Sequence, residues 1–352
     1  MIYVKPHIYI FVEGVITTGF GHISRELILA QKFKALNYGI SFIVNKNFIF
    51  NDLLYNEGFD FQIVDNFNDK IEILNILNRR DGNKICLIDL VKEEYHKLHF
   101  LNELDNAYIV SITLFLFEVN NRYEKLSFFP DFTQNRKEIH FANTDKELIL
   151  YSGKEYFVFR DEFKNLRKYI KRKGQSVLIT MGGTDPFGLS LQVLEAIKNS
   201  NNLEISVLLN KKSPTFKVVY DLCKDYNIQL IQHTNTISKL MLEHDIIILN
   251  GGSTRYEACL CHTPFIAIAI HQIQFDITEK LTNSVGAINL GIGSHLEKNE
   301  IKNSVFKLLG DYEKRNKISK KMKDYLDTDG DTRVTNTIIK EYKKRFHNEG
   351  NN

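Results

Sequence analysis

Short apolar runs alternate with segments of helical periodicity along nearly the whole chain. In the first half, residues 23–36 place Ile23, Leu27, Ala30 and Phe33 on one side of a predicted helix. The continuous apolar run at 84–91 is typical of a strand buried on both faces of a parallel sheet. Further strands are predicted at 7–12, 40–44, 61–64 and 148–151, and further helices from about 50 and at 69–77.

The second half repeats this alternation. Strands are predicted at 176–181, 204–209, 229–232, 245–249 and 265–270, and helices at 187–199, 216–224, 237–243, from 254, at 275–281, twice within 298–325 and at 332–346. The pattern predicts an α/β fold with two parallel sheets. Ligands of such sheets bind beyond the carboxyl ends of the strands, so we expect a site in a cleft between the two domains.

Composition changes this picture little. The chain has 352 residues, 43% of them hydrophobic and 25% charged, which suits two ordinary domains. A net charge of +3 gives no strong attraction for nucleic acid, and the basic segment at 159–175 is interpreted as a solvated connection. The apolar stretch at 107–119 is too short to span a membrane; we expect a buried strand there, with a membrane-facing patch as the alternative.

Four scattered cysteines bear on location and on metal binding. Cys86, Cys223, Cys259 and Cys261 fit neither a disulfide framework nor a zinc site, and indicate buried thiols in a reducing cytoplasm. No secretory leader pattern is found at the start of the sequence. We therefore expect a cytoplasmic protein without a metal or other cofactor.

The most informative motif is the loop that follows the apolar run at 245–249. It reads Asn250-Gly251-Gly252-Ser253-Thr254, with Glu257 within one turn of the predicted helix. Glycines allow close approach of the backbone to a phosphate, and a helix start favours negative charge. Glu257 is placed to accept hydrogen bonds from a ribose diol. The alternative is a capping box in which Glu257 only reaches back to the backbone N–H of Thr254.

A second glycine pair follows the first predicted strand of the second half. Gly182 and Gly183 precede Thr184, Asp185 and Pro186, and the last two predict a helix that starts with Asp185 as N-cap and Pro186 as its first residue. Two Gly-Gly loops at strand ends indicate that the second half binds a nucleotide diphosphate.

The loop after the first strand carries the candidate base. Gly19-Phe20-Gly21 leads to His22 at the start of a predicted helix, where the helix dipole favours a neutral ring that can accept a proton. Glu13, at the strand end, is predicted to orient the ring, and Arg25 to meet a phosphate or solvent. The alternative is that His22 only caps the helix or packs.

These loops resemble those of the UDP-sugar hydrolase family of the pseudaminic-acid pathway, which is similar in fold to the lipid II glycosyltransferase and its GT-B architecture. The resemblance spans residues 7–335 and rests on motifs that occur in family order: Gly19-x-Gly21-His22-x-x-Arg25, Gly153-x-x-Tyr156-x-x-x-Arg160-x-Glu162-Phe163, Met181-Gly182-Gly183-Thr184-Asp185-Pro186, and Asn250-Gly251-Gly252-Ser253-Thr254-x-x-Glu257-Ala258. A weaker match is Asp329-Gly330 with Arg333-Val334.

The resemblance implies two Rossmann-like domains whose parallel sheets face a central cleft. The expected organisation is 1–155 with the base and the sugar side, a linker at 156–175, a UDP-binding domain at 176–330, and a C-terminal helix at 331–352 for which packing back on the first domain is one option. It also implies a monomer that hydrolyses a UDP-amino sugar without a metal, with His22 as the base.

The resemblance further assigns the remaining site residues. The diphosphate would contact the loops at Gly182 and Gly183 and at Ser253 and Thr254, the ribose would contact Glu257, and uracil would lie near His233. Gly21, Arg25, Tyr156 and Gln274 are expected near the sugar or phosphate.

Departures from the family pattern keep two alternatives open. Phe11-x-Glu13 stands where the family has Arg-x-Asp, Ser111-Ile112-Thr113-Leu114-Phe115 replaces a paired-aspartate segment, and Ile273-Gln274 replaces Asn-Gln. The first alternative is a glycosyltransferase on the same scaffold, which the apolar stretch at 107–119 favours. The second is an inactive nucleotide-sugar binding protein, which Ile273 favours and His22 opposes.

Overall fold

The structure is a computed structural model that describes residues 4–15, 21–112, 122–130, 148–171 and 173–347. The chain divides into two compact units. Unit 1 comprises Met1–Phe159 together with Asp329–Asn352, and unit 2 comprises Arg160–Thr328. The first boundary falls inside the segment predicted as a linker. Gly19, Thr113, Leu114, Phe115 and the rest of the apolar stretch to 119 lie outside the described residues.

Unit 1 is built on a seven-stranded parallel sheet with the order β3-β2-β1-β4-β5-β6-β7. Its strands are β1 (His7–Val12), β2 (Ile40–Asn45), β3 (Asp60–Val64), β4 (Lys84–Asp89), β5 (Ala107–Ile112), β6 (Leu126–Phe129) and β7 (Ile149–Ser152). Its helices are α1 (Gly21–Ala35), α2 (Asn51–Asn56), α3 (Lys70–Leu77), α4 (Lys92–Tyr95) and α12 (Gly330–His347), and 3-10 turns cover His96–Glu103 and Lys154–Tyr156.

The core of unit 1 lies on both faces of this sheet, because successive side chains of a strand point to opposite faces. Ile10 and Leu87 belong to one apolar cluster, whereas Phe11 and Ile88 belong to the other. The described part of the 107–119 stretch is the buried strand β5, as predicted.

Unit 2 is built on a six-stranded parallel sheet with the order β10-β9-β8-β11-β12-β13. Its strands are β8 (Ser176–Thr180), β9 (Glu204–Leu208), β10 (Gln229–Ile231), β11 (Ile246–Asn250), β12 (Phe265–Ala269) and β13 (Ile288–Ile292). Its helices are α5 (Leu189–Ile197), α6 (Phe216–Asp225), α7 (Ile237–Glu243), α8 (Thr254–Leu260), α9 (Gln272–Val285), α10 (Lys298–Gly310) and α11 (Tyr312–Lys323), with 3-10 turns at Asp161–Phe163 and Gly293–His295.

Each sheet has one place where the strand order reverses direction. In unit 1 the chain passes from β1 outward to β2 and β3 and then returns to β4 on the other side of β1. In unit 2 it passes from β8 to β9 and β10 and returns to β11 beside β8. Such reversal points open a crevice at the carboxyl ends of the two central strands, where ligands bind in open α/β sheets.

The α/β architecture with two parallel sheets confirms the predicted fold class. Two strands, β6 and β13, were not predicted, and α9 begins at Gln272, earlier than the predicted helix at 275. None of the helices in the described ranges is both long and apolar enough to cross a membrane.

Candidate functional site

In unit 1, the crevice between β1 and β4 contains a buried histidine paired with an aspartate. His22 is the second residue of α1 and is 9% exposed, and its Nδ1 lies 2.7 Å from Oδ1 of Asp89. Asp89 is the last residue of β4 and pairs in register with Val12 of β1. Because the two strands are parallel neighbours, the end of β4 lies beside the end of β1, and the His22 contact brings the start of α1 to it.

Arg25, one turn further along α1, is directed at the same carboxylate. Its Nε and Nη2 donate to Oδ2 and Oδ1 of Asp89 at 2.8 Å and 2.7 Å, a fork geometry that favours strong pairing. Burial alone would raise the pKa of Asp89, but Arg25 and His22 together outweigh burial and hold this pKa well below its ordinary value. Asp89 is therefore an anion at neutral pH.

This arrangement corrects two expectations. Asp89, not Glu13, holds the His22 ring, and the Glu13 carboxylate accepts the N–H of Val91 at 3.4 Å. Burial raises the pKa of Glu13. Arg25 is buried against Asp89, so it is not the solvent-facing side chain that was one of its predicted placements.

The other residues predicted on the sugar side are placed as follows. Gly21 is the exposed first residue of α1. Tyr156 lies in the 3-10 turn Lys154–Tyr156, with its ring 5.5 Å from that of Phe128 and 5.6 Å from that of Tyr151, so its described contacts are aromatic packing in unit 1. Ser111, which begins the segment that replaces the family's aspartates, donates to Glu124 at 2.9 Å.

In unit 2, Asn250 ties the two glycine loops together. Its Nδ2 donates to the Met181 carbonyl at 2.7 Å, and its Oδ1 accepts the N–H of Gly252 at 2.9 Å. Gly182 has φ of +86°, and a Cβ there would lie 3.1 Å from Asn250 Nδ2. The crevice between β8 and β11 is thus lined by two loops fixed by one amide, which is a positioning role that the sequence did not indicate.

The backbone of these loops offers N–H groups to an anion. Across the described residues, the backbone hydrogen bonds outside helices and strands use none of the N–H groups of Gly183, Gly251 and Ser253. The buried guanidinium of Arg255 donates to the carbonyl oxygens of Gly251 and Gly252, the latter at 2.8 Å. The loop carbonyls are therefore satisfied from within the unit, and Arg255 was missed because its neighbours suggested only a helix start.

Gln274 packs directly over the loop at 250–254. A Cβ on Gly251 would lie 2.5 Å from Gln274 Cγ and 2.6 Å from Thr278 Oγ1, so only glycine fits here. The Gln274 side chain also accepts the N–H of Ile270 at 2.8 Å. Ile273, at the position of the family asparagine, is 61% exposed.

The second loop differs from its predicted form. α5 begins at Leu189 with Gly188 as N-cap residue, so Pro186 is not its first residue. Asp185, with φ of +43°, lies before the N-cap residue in the sequence but still caps α5. Its carboxylate accepts hydrogen bonds from the N–H groups of Leu189 and Ser190 at 3.0 Å and 2.8 Å. Thr184 is buried beside it.

Glu257 does not form the predicted capping box. The N-cap residue of α8 is Ser253, with no hydrogen bond from its side chain, and Thr254 lies inside the helix. Glu257 Oε1 instead lies 3.5 Å from Nη2 of Arg160, whose Nη1 is 2.8 Å from Glu162. Burial raises the pKa of Glu257, and Arg160 opposes this rise. The Glu257 carboxylate is therefore paired with Arg160 and not with the backbone at the start of its own helix.

His233, predicted near uracil, lies two residues beyond β10. It is exposed, and its Nε2 is 2.8 Å from Oδ1 of Asn235. Within the part of the chain that the structure describes, no group of three or more His, Cys, Asp or Glu side chains is arranged to hold a metal ion.

Comparison with known proteins finds relatives of this chain by sequence and by fold. No protein-family model matches the sequence. The chain is 25% identical over 267 residues, 71% of its length and 86% of the relative's, to the UDP-2,4-diacetamido-2,4,6-trideoxy-beta-L-altropyranose hydrolase of Campylobacter jejuni. It is 22% identical over 350 residues, 97% of its length and all of the relative's, to the spore coat polysaccharide biosynthesis protein SpsG of Bacillus subtilis.

A further relative is longer than this chain. The uncharacterized protein MJ1062 of Methanocaldococcus jannaschii is 24% identical over 302 residues, and the match spans 80% of this chain but only 60% of that protein.

Solved structures confirm the fold. MurG of Acinetobacter baumannii superposes with a TM-score of 0.67 at 15% identity, covering 96% of this chain and all of that one. HepE of Anabaena, solved in complex with UDP and glucose, superposes with a TM-score of 0.61 at 12% identity, covering 95% of this chain and all of that one. The protein has the GT-B fold, and its predicted resemblance to the pseudaminic-acid UDP-sugar hydrolases is confirmed.

Proposed function

We propose that the protein hydrolyses a UDP-linked amino or deoxy sugar to UDP and the free sugar, without a metal ion, in nonulosonic (pseudaminic) acid or surface-glycan biosynthesis. The observation that carries this proposal is the 2.7 Å contact between His22 Nδ1 and Asp89. A histidine held through one nitrogen by a buried carboxylate has its other nitrogen available as a base.

The proposed mechanism assigns the tautomer from this hydrogen bond. Since Asp89 is an anion, Nδ1 of His22 is the donor and Nε2 carries the lone pair. Nε2 takes a proton from water as the water oxygen attacks the anomeric carbon. The bond from that carbon to the diphosphate breaks, UDP leaves with the electron pair, and Asp89 stabilises the imidazolium that forms.

The nucleotide end of the substrate is assigned to unit 2. The free N–H groups of Gly183, Gly251 and Ser253 would bind the diphosphate, with Gly182, Gly252, Thr184 and Thr254 completing the two loops and Asn250 fixing their spacing. Glu257 would accept the ribose hydroxyls, and uracil would lie near His233. The named hydrolase and the polysaccharide-biosynthesis relative support a UDP-sugar as the substrate.

The test is to incubate the pure protein with UDP-amino sugars, with and without acceptor extracts, and to quantify UDP and free sugar. Equal amounts of UDP and free sugar without an acceptor would support hydrolysis. Replacing His22 by Ala should lower turnover at least about a hundredfold, because general base catalysis contributes that much. His99→Ala is the matched control, since His99 is exposed in the same unit. An unchanged rate in His22→Ala would refute the base role.

A glycosyltransferase is the second candidate, because the fold is shared with MurG. An acceptor hydroxyl would then take the place of water at His22. The same assay separates the candidates: UDP formed only in the presence of acceptor indicates transfer, and tight UDP binding without turnover indicates a binding protein.

A further inference from the structure

A second carboxyl group is buried beside the His22–Asp89 pair and has no role in the mechanism above. Glu26 lies on α1 one turn after His22 and is fully buried. Within the described ranges, neither of its carboxyl oxygens accepts a hydrogen bond from a donor group, and its side-chain hydrogen-bonding neighbour is the Asp89 carboxyl group. An ionised carboxylate in such a place would lose its hydration without compensation, which is costly.

Arg25 compensates the charge of an ionised Glu26 only in part. Both donor groups of the Arg25 fork are directed at Asp89. The charged groups that act on Glu26 are Asp89 from β4 and Arg25 from its own helix. His22 contacts the same Asp89 carboxylate, and Glu13 acts on the cluster through His22. Burial first, and then the Asp89 carboxylate, raise the pKa of Glu26 well above its ordinary value.

A second anion in this cluster would disturb the Asp89–Arg25 pair. Asp89 and Arg25 balance each other in charge. An ionised Glu26 would add an excess buried anion and would compete with Asp89 for Arg25. A neutral Glu26 avoids this excess charge and leaves Asp89 to hold the His22 ring.

We propose that Glu26 is a positioning residue, held as a neutral carboxylic acid so that Asp89 serves as the single anion for Arg25 and His22. Its effect on turnover rests on the proposed base role of His22. The protonation of Glu26 does not depend on that role, and it can be measured without any substrate.

The first experiment compares the full-length protein with Glu26→Gln, an isostere of the neutral acid. The infrared difference spectrum near pH 7 should show the carbonyl band of a protonated carboxyl group in the wild type that Glu26→Gln lacks. Glu204→Gln, an exposed glutamate in unit 2, is the control and should leave that band in place. A spectrum without the band, or a band that persists in Glu26→Gln, overturns the proposal.

The second experiment measures unfolding against pH. The folded state holds a proton on Glu26 that the unfolded state releases, so the contribution of Glu26 to stability falls as pH rises above its ordinary pKa of 4.5. The unfolding equilibrium constant of the wild type, relative to that of Glu26→Gln, should increase about tenfold per pH unit until the folded-state pKa is reached. A ratio that is constant, or that decreases with pH, means that Glu26 is ionised.

Turnover then separates this proposal from the proposed function. Glu26→Ala should lower the rate about tenfold or more by disturbing Asp89, and Glu26→Gln should restore it to within about threefold. If Glu26→Gln lost as much rate as Glu26→Ala, the charge of Glu26 would be required and the proposal would be wrong. If His22→Ala kept full turnover, the base role of His22 would be refuted, whereas the infrared and unfolding results on Glu26 would remain valid.

Discussion

At the scale of residues, the candidate chemistry depends on one carboxylate that the sequence did not single out. The Asp89 carboxylate is hydrogen-bonded to both His22 and Arg25, which lie 67 and 64 residues away in the chain. His22 was predicted because its own neighbours, a glycine-rich turn and a helix start, mark it. Asp89 ends an ordinary buried strand, and nothing local distinguishes it from other strand-end residues.

Replacing Asp89 by Asn should lower turnover at least about tenfold, since the His22 ring loses the anion that orients it and stabilises its charge. The change also leaves Arg25 buried without a counter-ion, which costs about 3–5 kcal/mol of stability at neutral pH. Steady-state rates and denaturant unfolding measure the two effects. Asp69→Asn is a suitable control, because Asp69 caps an exposed helix start and is remote in sequence from the cluster.

The pH dependence of that stability follows from the same pair. The folded-state pKa of Asp89 is depressed, so its contribution is present above the unfolded value of 3.8 and is lost as pH falls below it. The difference in stability between the wild type and Asp89→Asn should therefore shrink on acidification below about pH 4. A difference that stays constant down to pH 2 would contradict the ion pair.

At the scale of elements, both candidate sites form where the strand order reverses. The start of α1 meets the end of β4, and the turn between β8 and α5 meets the turn between β11 and α8. The glycine loops were recognised from their composition. Their contact was not, because Asn250 reaches a carbonyl 69 residues away, across a strand pair whose register is set by the whole sheet.

Local patterns also failed at particular elements. β6 has only four residues, and β13 is interrupted by Gly291 with φ of +129° and a register shift against β12, so neither shows a clear strand pattern. α9 was predicted to begin too late, because its N-cap residue is His271, whose ring accepts the N–H of Gln274 at 3.2 Å. Histidine is not among the usual N-cap residues.

Replacing Gly251 by Ala should distort the loop at 250–254. Its Cβ would lie 2.5 Å from Gln274 Cγ, and relieving this contact should cost about 1–3 kcal/mol. We expect UDP affinity to fall at least about tenfold, equivalent to 1.4 kcal/mol. Calorimetric titration with UDP and thermal unfolding measure these effects.

The matched control is Gly310→Ala at the end of α10, where a Cβ would meet nothing within 4 Å. This variant should bind UDP normally and be at least as stable as the wild type. If both variants bound UDP equally well, the loop at 250–254 would not be the diphosphate site.

At the scale of the whole molecule, the chain returns to unit 1 after completing unit 2. α12 packs on α1, and its Val334, Ile338 and Tyr342 are buried in the apolar cluster that also contains Ile10 and Leu87. Lys32 of α1 is paired with Asp331 at 3.0 Å. Unit 1 is therefore made from two distant stretches of sequence.

Replacing Ile338 by Ala should destabilise unit 1 by about 2–5 kcal/mol, the usual cost of such a cavity in a core. Hydrogen exchange should then quicken in β1, β2 and β4, with little change in the strands of unit 2. Asn336→Ala, exposed on the same helix, is the control. Equal loss of protection in both units would show that α12 does not act through unit 1.

The sequence by itself determined the alternation of strands and helices, the two parallel sheets, the glycine loops and the histidine. Each of these is recorded in residues near one another in the chain, as periodicity or turn composition. Only the tertiary structure decided that Asp89 holds His22, that Arg25 is turned inward, that Asn250 joins the loops and that Glu257 faces Arg160 and not the backbone. Those contacts cross parallel strands joined by long connections, so they depend on sheet order and register, which no local pattern encodes.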